Sequence, residues 1–354
     1  MRGFVCSPMR QDLAHIACPQ GLELVMREEG LTLVGNGMEL RGDFSRMVPR
    51  LRQDRLSHEL LVRAARVRGA REPVAVDATA GLGEDSLLSV GTIATLNRII
   101  GELGGLFTVA TARTPATVVP LMQEVQARLP FIVIGGSAMW DPVTGCYKHT
   151  RSIDDLTVNA VADVFDHHHA HPFIYRRHGD SLLYTHHYGP MSAQEERFVT
   201  ERQHLPLKKF VLDDPGYRHS DDEALLIFSM NKYAVLKAIA NDLKANVDTC
   251  SVMLYHDIFD ESEGYLEIFT AGTSKAAAIR DLARETGAGR IVVFGDNRND
   301  INMMQAADHS VAVGNAFDEV KVAASEVIGP NTADSVPRWI EQELMGKKEI
   351  EPLV

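Results

Sequence analysis

Three oxygen-bearing side chains lie within five residues of one another near the C-terminal end of the chain. Asp296, Asn299 and Asp300 directly follow the apolar run Ile291–Phe294 and one glycine. Ligands of open α/β sheets bind at the carboxyl ends of strands, and Mg²⁺ prefers hard oxygen ligands. The spacing therefore predicts a Mg²⁺ site at the end of a strand. The alternative is a polar turn that begins the next helix, with Asp300 near its N-terminus.

Two further residues have the chemistry to bind a phosphoryl group. Thr111 ends the apolar segment LFTVAT, which we predict to be a strand, and its hydroxyl and the following backbone N–H groups can hold a phosphoryl oxygen. Lys275 begins the predicted helix KAAAIRDLARET, where an ammonium group can neutralise charge on a transferring phosphoryl group. Each signal is weak alone, because threonine is common at strand ends and most lysines at helix starts are solvated.

The elements that must position these residues follow an α/β order from about Gly91 onward. Apolar segments without alternation, such as FIVIGG, alternate with helical patterns, which is typical of a parallel sheet covered by helices on both faces. This order breaks after Gly136 and returns near residue 265. The sequence predicts a Rossmann-like parallel-sheet core (73–136 and 265–345) with an inserted α/β cap (137–264). An N-terminal α+β appendage (1–72), with a helix over 45–71, precedes the core.

The order of these features resembles a known enzyme superfamily. Thr111, a long insertion, Lys275 and the sequence GDNRND at 295–300 resemble the haloacid dehalogenase superfamily. The Cof-like sugar-phosphatase branch is the most similar, and the resemblance covers about residues 91–344. It implies a Rossmann-like core, an α/β cap, and Mg²⁺-dependent hydrolysis of a small phosphorylated metabolite through an aspartyl-phosphate.

The resemblance also implies a role for each candidate residue. Thr111 would bind the phosphoryl group, and Lys275 would stabilise the nucleophile and the phosphate. Asp296 would ligate Mg²⁺, and Asn299 and Asp300 would complete or support the metal site.

The first motif of that superfamily, D-x-D-G-T, is absent from the chain. Asp77 is the candidate for its nucleophile, because it ends the apolar run PVAV 34 residues before Thr111, a similar spacing. It would then share the metal with Asp296. Thr79 stands where the family has its general acid/base aspartate, and it cannot supply proton transfer worth about 10²–10⁴-fold in rate. We therefore expect reduced phosphatase activity.

The same residues support a competing interpretation. The sequence DATAGLGEDS at 77–86, within about residues 21–88, resembles the small-subunit ribosomal RNA guanine-N2 methyltransferase family. That resemblance implies binding of S-adenosylmethionine at Asp77, Gly81 and Gly83. The later catalytic DPMFP-type motif of that family is absent here. Two alternatives to a phosphatase therefore stay open: a remnant methyltransferase and a non-catalytic phosphate-binding protein.

Charge distribution also indicates two kinds of sequence in one chain. Residues 1–76 contain 12 Arg, no Lys and 9 acidic residues, and the first lysine is Lys148. The boundary between the two kinds of sequence lies between about residues 70 and 105. Together with the two partial resemblances, this shift predicts a fusion of two truncated parents.

Composition limits the partners and the compartment. The net charge of −12 argues against nucleic acid as a partner. No apolar run approaches the roughly 20 residues of a membrane helix, so a membrane is not expected as a partner either. The four cysteines (Cys6, Cys18, Cys146 and Cys250) are far apart and form no C-x-x-C pair. This usage predicts a protein of the reducing cytoplasm that acts on a small phosphorylated metabolite.

Overall fold

The computed structural model describes most of the chain from residue 106 onward and a few earlier segments. The described residues are 22–27, 30–35, 38–41, 96–98, 100–101, 106–257, 260–333 and 335–348. The chain divides into two compact units, residues 1–87 and 88–354.

The described part of the first unit is a three-stranded antiparallel sheet. Its strands, in the order β1-β2-β3, are β1 (Leu22–Arg27), β2 (Gly30–Gly35) and β3 (Met38–Arg41). Two residues separate each strand from the next in the sequence. The helix predicted over 45–71 lies outside the described residues.

After helical residues at 96–98 and 100–101, the second unit has a short helix and a three-stranded sheet. These elements are α1 (Pro115–Met122), β4 (Phe131–Val133), β5 (Ala138–Asp141) and β6 (Cys146–Lys148). The sheet is antiparallel in the order β4-β5-β6. Among the described residues, the segment predicted as a strand before Thr111 makes one bridge, in which Ala110 pairs parallel with Ile132. Pro120 within the helix lacks the N–H that a helical hydrogen bond needs.

A six-stranded sheet with three helices follows in the chain. Its elements are α2 (Asp155–His167), β7 (Phe173–His178), β8 (Leu182–His186), α3 (Ala193–Arg202), β9 (Lys208–Val211), β10 (Glu223–Lys232), α4 (Tyr233–Asn246), β11 (Cys250–His256) and β12 (Glu263–Thr270). The strand order is β11-β12-β10-β7-β8-β9, and every neighbouring pair is antiparallel except β8 and β9.

Residue alternation gives this sheet two different faces. Ile227 and Ile268 point to one face, where they pack with Leu236 and Ile239 of α4 in a buried core. On the other face α3 contacts β10, and the rings of Phe198 and Phe228 lie 5.6 Å apart. The second face carries the side chains at 265, 267 and 269 of β12, because successive strand residues point to opposite sides.

A parallel sheet and its helices complete the unit. The elements are α5 (Lys275–Thr286), β13 (Val292–Gly295), α6 (Ile301–Ala306), β14 (His309–Ala312), α7 (Asp318–Ala323), β15 (Glu326–Val327) and α8 (Ser335–Lys348). The strands β13, β14 and β15 are parallel neighbours in that order. Val293, Met304 and Val320 are buried between this sheet and its helices.

The fold class predicted from the sequence is confirmed: an α/β chain with a parallel sheet after a long insertion. The predicted domain boundaries at 72, 136, 264 and 345 stay predictions. Among the residues that the structure describes, no helix combines the length and the apolar character needed to cross a membrane.

Candidate functional site

The loop after β13 is folded around the carboxylate of Asp300. The backbone N–H groups of Asp296 and Asn297 each donate to Oδ2 of Asp300 at 3.2 Å. The backbone N–H of Asp300 donates in turn to the carbonyl oxygen of Asn297 at 2.9 Å. These reciprocal bonds close one turn, so the Asp300 carboxylate fixes the conformation of the whole predicted metal loop.

Lys275 is a partly buried cation beside this loop. Its Nζ donates to Oδ1 of Asp300 at 2.9 Å and lies 3.4 Å from Oδ1 of Asn299. The side chains of Lys275 and Asp300 are only 10% and 8% exposed. The structure thus brings three predicted site residues into contact, with Asp296 in the same loop. A charge so poorly exposed to water acts strongly on any anion that binds next to it.

The position of Lys275 follows from the start of α5. Ser274 precedes the helix, and its Oγ accepts a hydrogen bond from the backbone N–H of Ala277 at 3.1 Å, as an N-cap residue does. Ala278 and Leu282 of the same helix pack against Ile132 in a buried cluster. The cap and the cluster together hold the first residue of α5 at the edge of the loop.

The backbone of Thr111 is hydrogen-bonded to β4 and to the residues that follow it. Its backbone N–H donates to the carbonyl oxygen of Ile132 at 2.9 Å, and its own carbonyl oxygen accepts from the N–H of Gly135 at 3.1 Å. Its Oγ1 accepts a hydrogen bond from the backbone N–H of Arg113 at 3.1 Å. The hydroxyl therefore sits at the beginning of the turn that leads into α1, as the sequence predicts.

Gly136 connects this turn to Lys275. It has a φ of +99°, and a Cβ at this position would lie 2.4 Å from the carbonyl oxygen of Ser274 and 2.9 Å from the backbone nitrogen of Lys275. A residue with a side chain would be strained in φ and would clash with the backbone of α5. The two predicted phosphate contacts, Thr111 and Lys275, therefore lie on either side of one glycine turn.

Gly295 permits the close approach of Asp300 to the end of β13. A Cβ at Gly295 would lie 2.7 Å from Cβ of Asp300 and 2.9 Å from its Oδ2. Any larger residue would displace the carboxylate that organises the loop.

The side chains present have the chemistry of a Mg²⁺ site that is only partly described. Asp296, Asn299 and Asp300 offer carboxylate and amide oxygens, the donors that Mg²⁺ takes from proteins. Among the described residues, no group of three or more His, Cys, Asp or Glu side chains is placed to hold a metal ion. Asp77, the further carboxylate predicted for this site, lies outside the described residues.

The predicted S-adenosylmethionine contacts also lie outside the described residues. Asp77, Gly81 and Gly83 belong to the segment that the structure leaves undescribed, and so does Thr79. Their assigned roles stay predictions.

Sequence reasoning missed Glu267 on β12. This half-buried carboxylate accepts a hydrogen bond from the hydroxyl of Tyr255 at 3.0 Å. Burial raises its pKa, whereas the Tyr255 hydrogen bond and the positive charge of Lys275 act in the opposite direction. The sequence alone did not indicate this residue, because a single glutamate in an apolar strand can be recognised as a candidate only when its neighbours on the adjacent strands are known.

Comparison with known protein families gives a match over most of the chain. Residues 76–340 match the sequence model of the haloacid dehalogenase-like hydrolase family. A haloacid dehalogenase-like hydrolase from Bacteroides thetaiotaomicron has a similar fold, with a TM-score of 0.58 at 19% identity over 72% of this chain and 92% of that one.

Two relatives match different parts of the sequence. A pyridoxal phosphate phosphatase of Escherichia coli is 27% identical over 251 residues, which is 69% of this chain and 88% of the relative. Ribosomal RNA small subunit methyltransferase J of Acinetobacter baumannii is 46% identical over 67 residues, 19% of this chain and only 23% of the relative. The two resemblances found in the sequence are therefore both confirmed.

Proposed function

We propose, from the premise that this chain belongs to the haloacid dehalogenase-like hydrolase family, that it is a Mg²⁺-dependent phosphatase of small phosphorylated metabolites. The observation that carries the proposal is the Lys275 ammonium, whose side chain is 10% exposed and which donates to Asp300 of the loop after β13. A cation beside oxygen ligands, at the carboxyl end of a parallel strand, suits a phosphoryl group. The phosphatase named among the relatives supports the same reaction.

The side chains divide the work between binding and positioning. The ammonium of Lys275 offsets negative charge on the phosphoryl oxygens, and Thr111 contacts the same group from the other side of the glycine turn. Asp300 holds both Lys275 and the loop backbone in place. Asp296 and Asn299, supported by Asp300, would hold Mg²⁺, which supplies charge neutralisation and Lewis-acid polarisation when bound.

Asp77 is our proposed nucleophile. Its carboxylate oxygen forms a bond to phosphorus while the bond to the leaving oxygen breaks, and water then hydrolyses the aspartyl-phosphate to release inorganic phosphate. The family match begins at residue 76, one position before Asp77, which supports this assignment. The departing oxygen needs a proton, and Thr79 is a poor source of one. We therefore expect a low turnover rate.

The N-terminal segment supports a second candidate function. Its 46% identity to a methyltransferase over 67 residues favours a methyltransferase remnant that binds S-adenosylmethionine at Asp77, Gly81 and Gly83. The match spans 23% of that relative, so we interpret the chain as a fusion of two truncated parents. Titration calorimetry with S-adenosylmethionine tests this candidate, and an absence of binding heat eliminates it.

Release of phosphate from p-nitrophenyl phosphate tests the phosphatase proposal. We expect turnover with Mg²⁺, none with EDTA, and a loss of about 100-fold or more in Lys275→Met, the size expected when one preorganised charge contact is removed. Lys321→Met is the matched control, because Lys321 pairs only at the surface with the exposed Asp318. Turnover that persists in EDTA would contradict the proposal.

We also propose that the protein is cytoplasmic. The free thiols of Cys146 and Cys250 support this location.

A further inference from the structure

The segment 149–153 connects β6 to the six-stranded sheet and is bonded to α5 on the way. It joins the sheet at Ile153, whose backbone N–H donates to the carbonyl oxygen of Ala224 in β10 at 2.7 Å. Two residues earlier, the guanidinium of Arg151 donates to Oδ2 of Asp281 in α5. The side chains of Arg151 and Asp281 are 35% and 38% exposed, so the pair is partly shielded from water.

The two residues before Arg151 show how the segment is oriented. Oγ1 of Thr150 donates to Oε2 of Glu223 in β10 at 2.7 Å. Nε2 of His149 lies 3.2 Å from Oε2 of Glu285, which is one helical turn after Asp281 on α5. Side chains 149 and 151 are therefore directed to α5, and side chain 150 is directed to the sheet.

The backbone of Arg151 is bonded to the glycine turn beside Lys275. Its N–H donates to the carbonyl oxygen of Ser137 at 2.7 Å. Ser137 is 0% exposed, and its backbone N–H and its Oγ both donate to the carbonyl oxygen of Ile134, at 3.0 and 2.8 Å. It directly follows Gly136, where an added Cβ would lie 2.9 Å from the backbone nitrogen of Lys275. Arg151 thus holds the glycine turn through its backbone and α5 through its side chain.

These contacts link Arg151 to both predicted phosphate contacts. Helix α5 begins at Lys275 and carries Asp281 less than two turns later. The glycine turn is bonded to Thr111, because the N–H of Gly135 donates to its carbonyl oxygen. Arg151 therefore joins the helix that presents Lys275 to the turn that presents Thr111.

The Asp281 carboxylate accepts two guanidinium groups, and only one of them comes from outside α5. Arg151 donates to Oδ2, whereas Nη1 of Arg284 donates to Oδ1 at 3.1 Å. The hydrogen bond from Arg151 is the largest cause that lowers the pKa of Asp281, and Arg284 adds a smaller one against the opposing effect of burial. Arg284 is 76% exposed and belongs to α5 itself, so its pair with Asp281 lies within one helix.

We propose that Arg151 is a positioning residue for phosphoryl transfer, which fixes the separation of Lys275 and Thr111 by clamping α5 to the glycine turn. It acts through these two residues and not by contact with the substrate. Charges that stabilise a transition state act best when they are held in place beforehand, so a loosened clamp lowers the rate. This inference rests on the proposed phosphatase function and adds a residue to it.

Steady-state hydrolysis of p-nitrophenyl phosphate with Mg²⁺ tests the inference. The variants are Arg151→Met, Arg151→Lys, Arg284→Met, Lys275→Met, and the double variant of Arg151→Met and Lys275→Met. Arg284→Met is the matched control, because it removes a guanidinium from the same carboxylate and leaves the connecting segment unchanged. Urea unfolding of each variant shows whether it is folded.

Arg151→Met should lower kcat about 10-fold, part of the 10²-fold that a displacement of about 1 Å can cost. KM should change less than kcat, because the phosphoryl contacts remain but are less well aligned in the transition state. Arg151→Lys should retain more of the rate, since it keeps the charge that Asp281 attracts, and Arg284→Met should match the unsubstituted protein. In the Lys275→Met background, Arg151→Met should lower kcat less than about 2-fold, because the group that it positions is absent. A purely structural role would lower kcat equally in both backgrounds.

The other outcomes separate the two claims. An unsubstituted protein that does not hydrolyse p-nitrophenyl phosphate contradicts the phosphatase function, and this inference with it. Hydrolysis with an unchanged kcat in Arg151→Met, an equal loss in Arg284→Met, or the full further loss in the Lys275→Met background refutes the positioning role alone. If Arg151→Met fails to fold, Asp281→Asn decides. It removes the same pair and should lower kcat about 10-fold, and an unchanged kcat would refute the inference.

Discussion

The contact between Lys275 and Asp300 has a measurable energetic signature. We predict that the double substitution of Lys275→Met and Asp300→Asn lowers the free energy of unfolding by less than the sum of the two single substitutions. The two side chains are 10% and 8% exposed, and their N···O distance is 2.9 Å. The predicted coupling free energy is about 2 kcal/mol, in the range measured for residues in direct contact.

The magnitude follows from opposing terms. At an effective dielectric constant of about 20, two charges at this distance attract with roughly 6 kcal/mol, most of which the loss of hydration offsets. Lys275→Met leaves a buried carboxylate that still accepts two backbone N–H groups, so we expect a loss of about 2–3 kcal/mol. Asp300→Asn removes the negative charge and leaves a single acceptor oxygen, so either the bond to the ammonium or the bonds to the loop are lost, and about 3–4 kcal/mol is expected.

Urea unfolding followed by tryptophan fluorescence measures these values. Trp339 reports on the parallel sheet, because its ring stacks on His309 of β14 and contacts Phe294 of β13 edge-on. The control cycle uses Arg298 and Glu319, whose exposed ion pair should give a coupling of only about 0–0.5 kcal/mol.

A coupling below about 0.5 kcal/mol for Lys275 and Asp300 would refute the reasoning. It would mean that the ammonium does not pair with the loop carboxylate in solution. The account of how α5 and the loop after β13 assemble the site would then be wrong.

Three further predictions concern His187, Asp141 and Gly295. His187 is 1% exposed, and burial lowers its pKa to about 4, below an unfolded value of about 6.5. The unfolded state therefore binds the proton at a higher pH than the folded state does. The free energy of unfolding should be highest above pH 6.5 and should fall by up to about 3 kcal/mol toward pH 4. In His187→Phe, urea unfolding across this window should lose that dependence; an unchanged slope would contradict the assignment. Asp141 pairs with Lys148, which lowers its pKa to about 2, so its contribution exists above about pH 4 and disappears as the pH falls to 2. Because Lys148 is half exposed, Asp141→Asn should cost only about 1 kcal/mol at pH 7 in the same assay, and no cost would show that the pair is not formed. Gly295→Ala should reduce phosphatase turnover more than 10-fold by displacing the carboxylate of Asp300, whereas Gly289→Ala, where a Cβ meets no described atom within 4 Å, should retain it; equal turnover in the two variants would contradict this role.

Local signals predicted the elements around the site well. The strand expected over 291–294 is observed at Val292–Gly295, and α5 begins at Lys275 because Ser274 caps it and ends before Gly287, whose φ is +69°. Both features depend on neighbouring residues only, so a single sequence contains them.

The remainder depends on pairing between residues far apart in sequence. The segment before Thr111 has the composition of a strand, yet it makes a single bridge at Ala110 among the described residues. Glu267 gains its neighbours only when β12 pairs with β10 and β11, and no local pattern encodes that register. The roles of Asp77 and Thr79 likewise depend on long-range placement, and they stay predictions.

The most direct test of the central claim is the rate of p-nitrophenyl phosphate hydrolysis, with and without Mg²⁺, in the unsubstituted protein and in its Asp77→Asn and Asp296→Asn variants. We predict Mg²⁺-dependent turnover in the parent that is lost in both variants, because one side chain supplies the nucleophile and the other holds the metal. An inactive parent, or a parent rate that survives Asp296→Asn, would contradict the assignment of this chain as a Mg²⁺-dependent phosphatase.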